Sequence, residues 1–116
     1  MDIQSFQTAT HHMSLRDKRA IMPIVIILLR EFSSASVNLE LALLADDPDE
    51  AIEYLTLSQT ASFIVDEQLK RLAIYPQLGK LVRELRTLKN FILEDQVEQL
   101  NAIETFLGKS ELPLIH

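Results

Sequence analysis

Only two glycines and four prolines punctuate these 116 residues, and that scarcity constrains the fold more than any other feature. Sheets of short strands need turn signals roughly every 8–12 residues, and turns draw heavily on Gly and Pro. With so few, the elements between them must be few and long. The reading is all-α: an antiparallel bundle of three long helices, with a short N-terminal helical segment as an option.

The strongest punctuation is Asp46-Asp47-Pro48-Asp49-Glu50. Asp47 can accept from the open amides of a helix N-terminus, and Pro48 brings a pre-set φ and no N–H to leave unpaired. Glu50, three residues after the cap, can reach back to it. Tyr75-Pro76 marks another start, because Pro disfavours helix at the residue before it. Ser14 followed by Asp17 suggests an earlier start, and Gly108 a C-terminal stop with Pro113 beyond it. Helices are therefore expected over residues 15–45, 48–74 and 77–107, each roughly 40–45 Å long. Pro23 should kink the first helix or split off residues 15–22. Connections this short make consecutive helices antiparallel neighbours. The organisation expected is a flexible or docked segment 1–13, one bundle domain 14–108, and a tail 109–116.

Apolar spacing supports this. In the first helix Ile21, Val25, Leu28, Phe32, Ala35, Leu39 and Ala42 recur at alternating steps of four and three, the seam of a helix facing a core. The second carries Ile52, Leu55, Val65, Leu69 and Leu72. The third carries Leu78, Leu81, Val82, Leu85, Leu88 and Ile92, with the stripe expected to continue through Val97, Leu100, Ile103 and Leu107.

Cysteine is absent, which removes disulfides, thiolate metal sites and cysteine nucleophiles. Together with an N-terminus that lacks a basic stretch followed by an apolar one, this points to a cytoplasmic protein. The strongest apolar run, residues 20–29, contains Pro23 and lies between Arg19 and Arg30. A membrane span takes about 20 residues, so a buried helix segment is expected here and no span.

Three features exceed a plain bundle. Ser33, Ser34 and Ser36 on the first helix and Ser58, Thr60 and Ser62 on the second form bands of short polar side chains. Folding about the turn at 46–47 pairs residues whose numbers sum to about 94, so the bands meet at mid-bundle. They imply a close helix crossing or, as an alternative, a polar notch for a small ligand. Charge is segregated as well. Residues 14–31 and 66–90 hold ten basic and five acidic side chains, a net +5. Residues 32–65 and 91–116 hold eleven acidic and one basic, a net −10. The basic end comprises Arg16, Lys18, Arg19, Lys70, Arg71, Lys80, Arg83 and Arg86. It could steer an acidic partner or, as an alternative function, serve a nucleic-acid-associated transcriptional regulator. Nucleic acid is disfavoured by the overall charge of −6 and by the lack of interleaved aromatics.

The third feature is a second apolar stripe on the first helix. At about 100° per residue, Ile26, Val37, Leu41 and Leu44 fall opposite the core seam, with Arg30 among them. Ile3 and Phe6 could cover part of it. A protein partner or a second copy of the chain is expected to cover the rest, making Ile26, Arg30, Val37, Leu41 and Leu44 the partner-binding residues.

Chemistry is thin elsewhere. His11, His12 and His116 are the only histidines, none helically spaced with another metal-ligand type, and no Gly-rich phosphate loop or nucleophile motif occurs. Glu94, Asp95 and Glu98 make an acidic turn without the Glu-x-x-His pairs of bundle di-metal sites. No catalytic residue, cofactor or metal is expected, and the chain reads as no enzyme. In layout alone it resembles small bacterial export chaperones, without residue-level correspondence. The function expected is a helical adaptor, chaperone or regulator that binds a protein partner and dimerises through its first helix.

Overall fold

The computed structural model describes residues 3–108; the tail 109–116, with Pro113 and His116, and the side chain of Ile3 lie outside the described residues. The elements are α1 (Ile3–Ala9), α2 (Leu15–Leu44), α3 (Pro48–Leu72) and α4 (Gly79–Phe106), the last preceded by a 3-10 turn, Pro76–Leu78. Three long helices pack antiparallel with a short N-terminal helix beside them, and no strand occurs among the described residues.

The starts follow from the capping chemistry. Asp47 sits in extended backbone and its Oδ1 accepts from the Asp49 amide at 3.3 Å, with Pro48 in the first turn. The Ser14 hydroxyl accepts from the Asp17 amide at 3.1 Å. Gly108, with φ +77°, closes α4 in a left-handed conformation that costs glycine little.

Residues 15–22 are not split off at Pro23: α2 is one continuous helix. Pro23 lies on an exposed side, and so does Arg19, whose carbonyl loses its helical partner there. Water can take that carbonyl, and the first turns are tied to the core by Ile21, Phe6 and Met13. Phe6 and Met13 are both buried, which docks the N-terminal segment onto the bundle.

All seven seam residues of α2 are buried. They meet Leu55, Ala61, Val65, Leu69 and Leu72 of α3 and Leu78, Leu81, Val82, Leu85 and Ile92 at the start of α4 and in its first half. By length and composition α2 could also cross a bilayer. The same apolarity is what a helix needs to supply a core on one face and carry a second stripe on the other.

The expected seam of α4 fails in its second half. Val97 and Leu107 are exposed, while Leu100 and Ile103 are only partly buried. Ile52 of α3 is likewise only half-buried. Val97 stands about 140° round α4 from Ile92, off the seam, and Leu107 lies past the last helical residue. For Leu100, Ile103 and Ile52 the reason is arrangement. The small residues Ala35, Ser58, Ala61 and Ser62 let α2 and α3 approach closely, and α4 packs on α3 while scarcely touching α2. The result is a flattened body, 59 × 29 × 17 Å, with α3 in the middle and the far end of α4 left partly uncovered.

Candidate functional site

Where the polar bands meet, the chemistry turns inward. The buried Ser58 hydroxyl donates to the Ala35 carbonyl at 2.6 Å, across α2 and α3. Their numbers sum to within one of the pairing rule read from the turn. Gln96 of α4 completes a node: its Nε2 donates to Ser58 Oγ at 2.7 Å and to Ser62 Oγ at 3.0 Å. Gln96 is fully buried, and its Oε1 has no partner among the protein atoms. The α2 hydroxyls do not join. Ser33 and Ser36 are exposed, and Ser34 accepts from its own helix through Asn38 Nδ2 at 3.2 Å. Thr56 and Thr60 bond back to the carbonyls of Ile52 and Thr56, as helical hydroxyls commonly do. Sequence reasoning missed Gln96, although a signal existed: it lies four residues from both Ile92 and Leu100, on the seam itself.

The cations of the basic end gather as the antiparallel topology requires, at the start of α2, the end of α3 and the first turns of α4. Arg16, Arg19, Lys70, Arg71, Lys80 and Arg83 are exposed, and Lys18 and Arg86 are half-buried. Some of this charge is paired. Lys70 lies 3.4 Å from Asp66 and 3.3 Å from Glu67. Lys89 bridges α4 to α3 through Asp66 at 2.9 Å and is largely covered. That hydrogen bond holds the Asp66 carboxyl below the usual carboxylate range; desolvation opposes the effect and Lys70 reinforces it.

The second stripe of α2 lies in water. Ile26 is 54% exposed and Leu44 73%, with Val37 and Leu41 also exposed. Met22, on the same side, is exposed as well. Arg30 stands within the stripe, its nearest described carboxylate the neighbouring Glu31 at 3.3 Å. Phe6 does not cover the stripe, because it is committed to the core. One helix thus presents two apolar faces, one packed and one open.

A second surface was not legible in the sequence. Toward the acidic end, a groove runs between α2 and α4 as two connected clefts of about 600 and about 310 Å³. Leu43, Gln99 and Ala102 line both. Leu39 and Ile92 form the inner part of one, Ile103 and Phe106 the outer part of the other. Its charged lining is wholly acidic: Glu40, Asp95 and Glu98 in the larger cleft, Asp46 and Asp47 in the smaller.

His11 and His12 are exposed beyond α1 and meet edge to face at 4.9 Å. Among the described residues no three His, Asp or Glu side chains converge as a metal site would need. Comparison with family models, with curated proteins and with solved structures returns no match for this chain.

Proposed function

We propose that this protein is a non-enzymatic interaction module, of the adaptor, chaperone or regulator class, that docks a helical protein surface on the outer stripe of α2. The first partner of that stripe is a second copy of the chain. One observation carries the reading: Ile26, Val37, Leu41 and Leu44 stay exposed on a helix whose opposite face is already fully packed. Burying one such side chain fully is worth about 1.5–3 kcal/mol, so several aligned in water favour association. Isolated exposed apolar residues mean little, whereas aligned ones mark an interface.

The charge layout supports a second copy. A two-fold axis near Ser33 and Ser34 sets α2 antiparallel to its mate, so residues whose numbers sum to about 67 face each other. Ile26 then meets Leu41, and Arg30 comes beside Val37. Each basic end, net +5, comes beside the other copy's acidic turn, Asp46 to Glu50, at the net −10 end. One self-complementary patch is the commonest route to a closed dimer, and this charge sense favours the antiparallel pairing over the parallel one.

The test is sedimentation at tens of micromolar. Wild type should run as a dimer that persists at high salt, since the contact is mainly apolar. Ile26→Glu with Leu41→Glu should give a monomer with unchanged helicity. A monomeric wild type would overturn the dimer, and unfolding of the double variant would assign the stripe to the chain's own core.

A further inference from the structure

We infer that the groove between α2 and α4 at the acidic end is a receptor for a basic amphipathic helix of a partner protein. This site is separate from the outer stripe of α2. Leu43 lies about 100° round α2 from Ile26 and Leu44, on the side nearer the core seam, yet it remains 68% exposed. Across the groove Phe106 is 80% exposed. Two large apolar side chains left open on facing walls, with Ala42, Ala51 and Ile103 beside them and Leu39 and Ile92 further along, make a hydrophobic trough and not a scatter of surface residues.

The trough exists because α4 leans on α3 and scarcely touches α2. It occupies the place a fourth helix takes in a four-helix bundle. The lining spans residues 36–43 along α2, then the turn and the start of α3 as far as Ala51, and residues 92–106 along α4. The α4 wall, from Ile92 to Phe106, runs roughly 20 Å, or four helical turns. An occupant of that length reads as apolar anchors at i, i+4 and i+7 set into the groove.

Charge fixes the rest of the occupant. Five carboxylates line the groove and no Lys, Arg or His does. Three of them, Glu40, Asp95 and Glu98, lie apart from the turn that the proposed dimer sets beside its mate's basic end. An acidic or neutral helix would bring like charges together or leave these carboxylates without partners. A helix carrying Lys or Arg on both flanks of its apolar stripe matches them.

The test uses the full chain and a labelled 18-residue probe peptide of Leu and Lys, with Leu at helical i, i+3, i+4 and i+7 spacing. Control peptides carry Glu in place of Lys, or the same residues scrambled. Fluorescence anisotropy should show saturable binding of the Lys peptide alone. Leu43→Ser with Phe106→Ser should weaken it at least tenfold, and so should Asp95→Lys with Glu98→Lys. Ile26→Glu with Leu41→Glu should leave it unchanged, which separates this site from the dimer face. All four residues replaced in the groove variants are exposed, so the fold should survive, and circular dichroism checks that it does. Weakening by charge reversal but not by Leu43→Ser with Phe106→Ser would mean unspecific attraction and overturn the inference. So would a monomer produced by that apolar pair, which would make the groove a contact between copies. Binding only after removal of residues 109–116 would assign the groove to the chain's own tail and overturn it as well.

Discussion

Gln96 occupies a position where α4 would ordinarily place an aliphatic side chain. It spends its amide N–H groups on two serines of α3 while its buried Oε1 goes without a protein partner. A half-satisfied buried amide contributes little net stability, because the unpaired acceptor offsets the bonds that form. Gln96→Leu should therefore change unfolding free energy by less than about 1 kcal/mol in either direction. Gln96→Ala, which empties the site as well, should cost about 2–3 kcal/mol. Chemical denaturation of both variants checks this, and equal losses would mean the hydrogen bonds dominate. Asp66 gives a pH prediction. Its carboxyl is held below the usual carboxylate range, first by the hydrogen bond from Lys89. A depressed folded pKa contributes stability above the unfolded value, and that contribution disappears as pH falls through the folded one. Acid titration of stability should thus show a component lost below about pH 4, and Asp66→Asn should remove it.

The helices differ in how much of their boundary comes from local chemistry. α3 begins where Asp47 and Pro48 dictate, and Asp47→Ala should cost about 1 kcal/mol through the lost cap. A thermal-denaturation loss below roughly 0.3 kcal/mol would mean that packing alone positions this start. α4 has no side-chain cap; its first turn follows a 3-10 turn opened by Pro76 and anchored by the buried Leu78. The two apolar faces of α2 are both written in its periodicity, and which of them packs was decided by the faces of α3 and α4. Pro23 shows the limit of local rules. A proline inside a helix removes one hydrogen bond, but on an exposed side the freed carbonyl meets water and the helix runs on.

At the scale of the molecule, antiparallel packing turns scattered charges into a dipolar rod 59 Å long. Two proposed binding surfaces lie on that layout, the open stripe of α2 and the acidic groove beside α4. Their salt responses should differ. Dimerisation through Ile26, Val37, Leu41 and Leu44 should hardly change between low and high ionic strength. Association of a cationic helix with the groove should weaken as the Debye length falls from about 10 Å at 0.1 M to about 3 Å at 1 M. Sedimentation and anisotropy across that range check both, and equal sensitivity would refute the division of roles.

Sequence alone determined the three long helices, their antiparallel order and the caps at Ser14 and Asp47, and left the short N-terminal helix as an option. It also determined the seven-residue seam of α2, because capping and amphipathic spacing act within one or two turns of chain. The meeting of Ser58 with the neighbourhood of residue 36 was legible too, since a three-residue connection sets the register of the two helices it joins. The tertiary structure alone decided how α4 leans. Its second half carries Leu100 and Ile103 close to seam spacing, yet both are only partly buried, because α4 packs on α3 and scarcely touches α2. That divergence buries Gln96, leaves Leu43 and Phe106 open and creates the acidic groove. No window of sequence contains it, because the angle between two helices depends on the side chains of three.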